Sequence, residues 1–574
     1  MFDTLSPTQR QIVFDKSGMF VVQACPGSGK TYCVSARLAR LIKDWKSEYT
    51  GIAALSFTNV AWQEMNKKYQ EDFQNKSGIQ FPHFLGTIDS FINKYIFLPH
   101  GHLILKCKSR PTLVGEPHGS WTGKDFSSAL FDNISYAIDG SMFAIQPTRM
   151  KGNWKENKYI TGAKVRYNKA GYATQPDANY FAMKILEKYP AIAKALVLRF
   201  PFLIVDEAQD TSDIQMRIVD LLIENGLNEV MLVGDPDQAI FEWNDAKPEL
   251  LNQKFHQWEN SIMLNQNRRS SQLICNFTHK ISSLPNASES VDVEVRDFAF
   301  QPSVSTYTDT DNILEMVNSF LEQCTQNGIE VSKENVSVIY RAKEMVSSVT
   351  GIKEVPFEIN PWVEHDSITK DFAKGKFLYD SGDFKKGFKL VEKAVLKFLT
   401  DSEFCSEELI NDSITKLGFI EHRNIIFEFI NLLPATNISL GEWITTANAT
   451  FTASEIPCEL KITKKAKDIV FKELFIHEQI TTSNLNYRVG TVHSVKGETF
   501  DATLLILKDR ASNRGKYSNI LVNAIPPSDH EELRIAYVGM TRPRKVLIIA
   551  VPNVECKTAW ENKLNQNIQV ANEN

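Results

Sequence analysis

The sequence predicts an α/β fold with parallel sheets, divided over more than one domain. Its 574 residues exceed what one hydrophobic core fills, because domains commonly hold about 150 residues. Short apolar runs predict buried strands, and helical spacing follows most of them, an alternation typical of parallel sheets. The runs lie at residues 19–23, 52–57, 202–205, 230–233, 336–340, 503–507 and 546–551.

Composition and charge indicate a soluble protein without general affinity for anions. Apolar residues make up 43% of the chain and charged residues 23%, values that are ordinary for a globular protein. The chain has 64 Lys and Arg and 69 Asp and Glu, which gives a net charge of -5. Any nucleic-acid surface must therefore be a local patch. The eight cysteines contain no C-x-x-C pair, which favours reduced thiols. Without a signal-peptide core or a stretch of about 20 apolar residues, we expect a cytoplasmic protein that does not enter membranes.

Two long stretches of mostly helical and irregular sequence separate the strand-forming regions, and we interpret them as insertions. They cover residues 96–195 and 346–485. The remaining sequence divides into two sheet-forming units with the limits 1–95 plus 196–262 and 263–345 plus 486–552. Residues 553–574 are expected to form a C-terminal tail.

A glycine-rich segment between the first apolar run and an amphipathic helix has the pattern of a phosphate-binding loop. Its glycines let backbone N–H groups approach phosphates, its lysine reaches the β and γ oxygens, and its threonine hydroxyl binds Mg²⁺. A chance glycine-rich turn is the alternative, but the position between strand and helix favours the nucleotide site. The segment consists of Ala24, Cys25, Pro26, Gly27, Ser28, Gly29, Lys30 and Thr31.

Two carboxylates follow the apolar run at residues 202–205, at the strand end where parallel sheets bind ligands. Asp206 is a candidate ligand of Mg²⁺ through its water shell. Glu207 is a candidate for orienting and deprotonating the attacking water in phosphoryl transfer. An acidic pair is often only a solvated strand end, but the phosphate loop upstream favours the catalytic interpretation.

Further motifs follow in a fixed order along nearly the whole chain. They occupy residues 5–9, 24–31, 56–59, 86–91, 206–210 with Gln215, 233–243, 264–270, 491–497 and 536–542. In these motifs the sequence resembles the UvrD/Rep/PcrA group of superfamily 1 DNA helicases. The resemblance implies two RecA-like P-loop motor domains, each with a mainly helical inserted subdomain, and ATP bound in the cleft between them.

The resemblance assigns nucleotide-site roles on both sides of that cleft. Gln9 would read adenine, Gln238 would sense the γ-phosphate, and Gly497 belongs to the nucleotide-binding set. Arg269 and Arg542 are the candidate arginine fingers, which neutralise transition-state charge when the two domains close. A generic surface arginine is the alternative for each.

The resemblance also assigns a single-strand track. Phe241 and Trp243 would stack on bases, which suits a translocase because every base offers a π-face. Burial in a core is the alternative for Trp243 and also for His493. The remaining residues of the track are Phe57, Thr58, Asn59, Thr491 and His493, the last two touching backbone phosphate.

Four positions depart from the family pattern. Arg268 replaces the tyrosine that stacks on adenine, although its planar guanidinium can still cover the base. Asn244 replaces an arginine, Asp89 replaces a histidine, and Thr499 replaces a glutamate, with Glu498 one position earlier. These departures leave individual contacts and the strength of coupling open.

Both insertions contain basic sequence. Residues 149–169 contain seven basic side chains and one acidic side chain, interleaved with Trp154, Tyr159 and Tyr167. This pattern resembles a nucleic-acid surface. A solvated basic loop is the alternative. In the second insertion, Phe384 and Phe398 are the ends of an apolar stripe flanked by lysines, interpreted as ordinary core plus a solvated face.

The function implied is a DNA-dependent ATPase that uses ATP and Mg²⁺, moves on single-stranded DNA in the 3′-to-5′ direction and unwinds duplex DNA. The alternative is a nucleotide-gated regulatory subunit of a nuclease-containing repair or phage-defence complex, with little unwinding of its own. Such a nuclease would be a separate partner, since no nuclease domain is expected after Val551. An RNA-directed motor fits the 238–243 segment less well.

Overall fold

A computed structural model of the chain describes most of its residues. These are residues 2, 4–73, 78–115, 118, 128–147, 150, 152, 154–240, 246–307, 310–341, 345, 349, 360–363, 367–402, 405, 407–475, 485–509, 516–523 and 530–565.

The strands are numbered in chain order: β1 Met19–Ala24, β2 Ile52–Ser56, β3 Phe84–Thr87, β4 Thr112–Leu113, β5 Ile134–Tyr136, β6 Met142–Ala144, β7 Tyr172–Ala173, β8 Phe202–Val205, β9 Glu229–Gly234, β10 Ile262–Leu264, β11 Gln266–Asn267, β12 Glu289–Ser290, β13 Ser303–Thr306, β14 Val336–Tyr340, β15 Arg488–Thr491, β16 Phe500–Ile506 and β17 Pro543–Val551.

The α-helices are numbered in the same way: α1 Pro7–Arg10, α2 Lys30–Lys43, α3 Asn59–Asp72, α4 Ile88–Ile92, α5 Leu98–His100, α6 His102–Leu105, α7 Ser128–Asn133, α8 Lys158–Lys169, α9 Gln175–Lys188, α10 Pro190–Arg199, α11 Asp213–Glu224, α12 Pro248–Gln257, α13 Gln272–His279, α14 Thr310–Gln326, α15 Ser367–Asp380, α16 Phe384–Thr400, α17 Glu407–Leu417, α18 Phe419–Leu432, α19 Leu440–Ala453, α20 Phe471–Phe475, α21 Tyr517–Asn523, α22 Glu531–Met540 and α23 Val554–Asn565.

The first sheet has six parallel strands in the order β10-β1-β9-β8-β2-β3. Its last strand ends at Leu264, two residues beyond the predicted limit at 262. Because the strands are parallel, their carboxyl ends lie along one edge. The phosphate-loop segment and the motifs that begin near residues 57, 87, 206 and 235 all follow strands of this sheet at that edge.

The second sheet has five parallel strands in the order β13-β17-β16-β14-β15. These two sheets confirm the predicted α/β fold. The stretch expected to be a tail contains a helix, α23, that packs on this sheet, because Cys556, Trp560 and Leu564 belong to its hydrophobic cluster. Apolar residues at helical spacing there explain why the segment folds onto the core.

The first insertion contains helices and two small two-stranded sheets, β4 with β7 and β5 with β6. Its basic segment is not a uniform exposed face. Trp154, Lys164 and Tyr167 are buried, and the Lys164 ammonium lies 2.6 Å from the Asp177 carboxylate and 3.9 Å from the Phe131 ring centroid. The nucleic-acid interpretation is therefore wrong for these three side chains, because they form the core of the insertion.

Four other basic residues of this segment are exposed, and Arg149 and Lys151 lie outside the described residues. A smaller patch thus remains available for an anionic partner. The exposed set is Lys155, Lys158, Arg166 and Lys169.

The second insertion is helical in its described part. The interpretation of α16 as core plus solvated face holds for Val391 and Val395, which are fully buried. It is wrong for Phe384, which is 61% exposed, and for Lys397, which is buried and 2.7 Å from the Asp371 carboxylate. Phe384 occupies the first position of the helix, where its side chain lies beyond the packed face.

The buried ion pair predicts opposite effects for two lysines of the basic segment. Lys164→Met leaves the Asp177 charge buried without its cation, which typically costs about 3–5 kcal/mol. We expect a clearly lower melting temperature in Lys164→Met and recovery of most of it when Asp177→Asn is added. DNA affinity, measured by fluorescence anisotropy, should not change.

Lys158→Met is the matched control, because this lysine is exposed at the start of the same helix. Its melting temperature should stay at the wild-type value. A stable Lys164→Met protein with weakened DNA binding would contradict the structural role of Lys164.

Candidate nucleotide site and nucleic-acid interface

The loop after β1 has the backbone geometry that a phosphate-binding loop requires. Gly27 and Gly29 have φ angles of 70° and 79°, in the left-handed region that glycine tolerates. A Cβ atom on Gly27 would lie 2.7 Å from the Cβ atom of Arg269, so no larger residue fits. Gly29 caps α2, and the N-terminus of this helix favours anions.

Lys30 is buried next to three carboxylates. Burial lowers the pKa of its ammonium, but Glu207, Asp235 and Asp206 more than offset this and raise the pKa. Its Nζ atom lies 4.0 Å from Glu207 Oε1 and has no hydrogen-bond partner among the described residues. A buried, charged donor without an acceptor fits a site for phosphate oxygens.

A second buried polar atom without a hydrogen-bond partner in the described ranges supports a magnesium site. Asp206 Oδ2 is also buried and without a hydrogen-bond partner among the described residues. Thr31 is the second residue of α2 and only partly buried. No group of three or more His, Cys, Asp or Glu side chains in the described part of the chain can enclose a metal ion. The unpartnered Asp206 oxygen suits Mg²⁺, which binds through one or two protein ligands plus phosphates and keeps several waters.

Glu207 has the strained backbone that often marks functional residues. Its φ of 54° is in the left-handed region, which is uncommon for a residue with a side chain. Burial favours the neutral acid, but Lys30 and Lys496 together lower the pKa of this carboxyl group. Burial and the Glu207 charge raise the pKa of Asp206. Glu207 is thus ionised, as a general base must be, and its carboxylate accepts a hydrogen bond from the Gln209 amide.

A lysine that follows β15 of the second sheet, and for which no role was predicted, also reaches this site. Lys496 Nζ lies 2.7 Å from Asp210 Oδ2, 3.9 Å from Glu207 Oε2 and 3.2 Å from the Gln238 carbonyl. Burial raises the pKa of Asp210 to about 6, and Lys496 opposes the shift. This lysine, which follows β15 of the second sheet, therefore pairs with carboxylates that follow β8 of the first sheet.

The two candidate arginine fingers lie next to each other. Burial and the charge of Arg269 lower the pKa of Arg542 to about 9. Arg542 Nη2 lies 3.4 Å from Gln238 Oε1, and Arg269 donates to the Thr541 carbonyl at 3.0 Å. Gln238 in turn donates to the carboxylate of Asp235. The structure thus brings together Lys30, Glu207, Gln238, Arg269 and Arg542, the predicted catalytic set.

Gln9 lies against the phosphate loop. Its side-chain amide donates to the Ser28 carbonyl at 3.0 Å, and its oxygen accepts from the Ser6 backbone at 3.1 Å. Arg268 is exposed, and its backbone N–H donates to the Gly27 carbonyl at 2.9 Å. Gly497 is also exposed, with a φ of 96°. The roles of these three residues stay predictions.

The predicted strand track is only partly described, because Phe241, Trp243 and Asn244 lie outside the described residues. Thr58 caps α3 by accepting a hydrogen bond from the Ala61 backbone, and Asn59 is exposed. The Trp62 indole donates to the Asn59 side chain.

The remaining residues of the track are Phe57 and Thr491, which are partly buried, and His493, whose Nε2 lies 3.2 Å from the Ile240 carbonyl. Burial lowers the pKa of His493, which favours the neutral ring.

One departure from the family pattern, Asp89, has internal partners, and so has Glu498, the neighbour of the departure at Thr499. The Asp89 carboxylate accepts hydrogen bonds from the amides of Asn179 at 3.0 Å and Gln215 at 2.9 Å. Burial raises its pKa, and these bonds oppose the rise. Glu498 forms a two-bond ion pair with Arg488, at 3.0 and 3.1 Å, while Thr499 is exposed.

Comparison with known proteins supports the family resemblance. Residues 5–109 and 153–259 match the model of the UvrD/REP helicase N-terminal domain. In these ranges the chain is similar to the UvrD/Rep-like superfamily 1 helicases. The matched ranges contain the phosphate loop, Glu207 and Gln238.

Individual relatives show low identity to this chain, and the share of each chain that is matched varies widely. A probable DNA helicase II homolog of Mycoplasma capricolum is 22% identical, over 78% of this chain and 62% of its own length. The Gabija protein GajB of Bacillus cereus is 21% identical over 95% of both chains. The ATP-dependent DNA helicase Rep of Escherichia coli is 27% identical, over 46% of this chain and 41% of its own. The chain thus spans less than two thirds of the first and third relatives.

Residues that the sequence analysis quoted within motifs, without assigning roles, complete the UvrD/Rep-like site. They are Gln209, Asp210, Asp235 and Lys496. A signal existed for Lys496, a cation beside a glycine in a motif, but its partner lies 286 residues away in sequence. Among the described helices, none is long and apolar enough to cross a membrane.

Lys496→Met should reduce the turnover of this site. It removes one preorganised charge next to Glu207 and leaves Asp210 buried without its cation, so we expect a loss of about 10²-fold or more in kcat. Steady-state hydrolysis with saturating single-stranded DNA measures it. Lys496→Arg, which keeps the charge, should retain more activity; equal rates in wild type and Lys496→Met would exclude the role.

Gln9→Ala should change both nucleotide selectivity and ATP affinity. The wild type should prefer ATP over GTP several-fold, because a mismatched, buried polar group costs about 1–3 kcal/mol. The variant also loses the bond to the Ser28 carbonyl, so its KM for ATP should rise while the preference flattens. The ratio of kcat/KM for the two nucleotides decides this, and unchanged selectivity would remove Gln9 from base recognition.

Proposed function

We propose that this chain hydrolyses ATP in the cleft between its two motor domains, moves on single-stranded DNA and unwinds duplex DNA. The 3′-to-5′ direction is proposed from the family resemblance. One observation carries the proposal: charged residues of the second domain, Lys496 and Arg542, converge on Glu207, Asp210 and Gln238 of the first. Such a divided site is complete only when the two domains are closed, as coupling of hydrolysis to domain movement requires.

The residues of the first domain provide phosphate binding and the base. Lys30 and the backbone of the glycine-rich loop would hold the β and γ phosphates of the substrate. Glu207, kept ionised by its two lysine neighbours, would orient the attacking water and accept its proton. Thr31 and Asp206 would hold Mg²⁺, which supplies neutralisation of phosphate charge when it is bound.

The second domain would provide the remaining charge. Burial and the charge of Arg269 lower the pKa of Arg542, so negative charge that develops next to these two guanidinium groups would be stabilised. Gln238 bonds both Asp235 and Arg542, so a γ-phosphate bound next to it would alter the contact between the domains. Hydrolysis would therefore change the balance between closed and open domains.

A second candidate function is favoured by the match to the Gabija protein GajB, which covers 95% of both chains. We propose as the alternative that ATP state gates a separate nuclease partner in a repair or defence complex, with little unwinding by this chain. The same cleft would serve both functions, since both need ATP-dependent closure. The two differ in whether closure moves DNA.

Glu207→Gln provides the test of hydrolysis. It removes the base but keeps phosphate contacts, so we expect kcat to fall by about 10²- to 10⁴-fold, the range of general-base catalysis, with nucleotide affinity retained. Lys30→Ala should lose both turnover and nucleotide binding. Turnover near the wild-type rate in Glu207→Gln would show that this carboxylate is not catalytic.

Strand displacement with the same variant as the inactive control separates the two functions. Single-stranded DNA should stimulate ATP hydrolysis by the wild-type protein more than RNA does. With ATP and Mg²⁺, the wild-type protein should also separate a duplex that has a 3′ single-stranded tail. Stimulated hydrolysis without displacement would favour the gating function. An absence of hydrolysis with every nucleic acid would overturn both.

A further inference from the structure

The segment at residues 237–240 belongs to the first motor domain in sequence but is held residue by residue by the second. It follows β9 and is buried throughout. Ile240 is fully buried in the hydrophobic cluster of the second sheet, together with Val492 and Leu533. The segment therefore crosses the cleft and inserts into the other domain.

Three consecutive backbone carbonyls of this segment face three basic side chains of the second domain. Lys496 Nζ lies 3.2 Å from the Gln238 carbonyl, Arg534 Nε donates to the Ala239 carbonyl at 2.7 Å, and His493 Nε2 lies 3.2 Å from the Ile240 carbonyl. We call this arrangement the carbonyl grip. Cationic donors such as lysine and arginine form stronger bonds to carbonyls than neutral donors do.

A fourth contact extends the grip by one residue. The Asp237 carboxylate accepts hydrogen bonds from the Ser282 hydroxyl and from the Ser283 backbone N–H at 2.9 Å. Both serines follow α13 in the second domain. Each residue from 237 to 240 thus has its own partner across the cleft, so the segment cannot keep this path when the domains separate.

The position of the segment in the chain gives the grip a consequence. Gln238 contacts Arg542 at the nucleotide site, and Phe241, one of the two residues expected to stack on bases, follows Ile240 directly. We propose that Arg534, with His493 and Lys496, positions the backbone of residues 237–240 and thereby couples ATP hydrolysis to the bound nucleic-acid strand. This proposal rests on the proposed motor function.

Arg534 is the best residue to test, because it bonds the Ala239 backbone and lies outside the predicted nucleotide-binding and strand-binding sets. Arg534→Met keeps the aliphatic stem and removes the donors. The full-length variant is assayed for hydrolysis with and without an oligo-dT strand. We expect the DNA-stimulated to basal ratio to fall at least about fivefold, the lower end of coupling between sites. The basal rate and the KM for ATP should not change.

Arg37→Met is the matched control. Arg37 is equally buried and also donates to backbone carbonyls, those of Ile12 and Lys16, but within the first domain only. It should lower the melting temperature and leave the stimulation ratio unchanged. Arg534→Lys, which keeps a cationic donor, should recover part of the ratio. If the stimulation ratio falls in proportion to the melting temperature in Arg534→Met, Arg534→Lys and Arg37→Met alike, the proposal is overturned, because Arg534 would then have only a structural role.

Ser282→Ala keeps the proposal testable if Arg534→Met does not fold. It removes one hydroxyl from the Asp237 contact, and we expect a smaller drop in the stimulation ratio with an unchanged melting temperature. An unchanged ratio in Ser282→Ala would overturn the grip. A wild-type protein without DNA-stimulated hydrolysis would instead overturn the proposed function, so the two failures are distinguishable.

Discussion

The balance of buried charge in the cleft is the constraint on which the rest of the site depends. Four carboxylates follow strands of one sheet: those of Asp206, Asp210 and Asp235 are buried, and that of Glu207 is partly buried. Burial of like charges is unfavourable unless cations compensate for them. Lys30 supplies one cation from the same domain, and Lys496 supplies the other from the opposite domain. Because the second cation follows a strand of the other sheet, any movement that separates the two sheets would remove it from Glu207 and Asp210 and make their ionisation less favourable.

This constraint explains why Glu207 and Asp206, adjacent in sequence, have opposite pKa shifts. The charges of Lys30 and Lys496 lower the pKa of Glu207. Burial and the charge of Glu207 raise the pKa of Asp206. Environments that separate the pKa values of two carboxylates commonly separate their roles as well. The ionised residue is suited to accept a proton. The other retains an unpartnered oxygen for a cation that arrives with the substrate.

Local sequence predicted the parts of the site that lie at strand ends, and long-range packing determined the rest. Parallel strands bring the phosphate loop and Glu207 to one edge whatever the inserted subdomains do, so these residues could be found from spacing alone. Lys164 shows the limit: a count of basic residues cannot tell which helix face is buried, and this lysine is in the core with Asp177. The partners of Lys496 and Arg534 lie more than 250 residues away, beyond the reach of any local pattern.

The positions that depart from the family pattern follow the same logic. The Asp89 carboxylate is satisfied by the amides of Asn179 and Gln215, and Glu498, next to the departure at Thr499, is paired with Arg488, so both carboxylates have partners within the protein. Contacts to backbone carbonyls differ, because every residue has a carbonyl and no side-chain change removes it. Recognition of the 238–240 carbonyls therefore leaves side chains such as Ile240 available for packing in the second domain. Such contacts do not depend on the side chain at Ala239, whereas Asp237 and Gln238 are also bound through their side chains, so sequence change is restricted at those two positions.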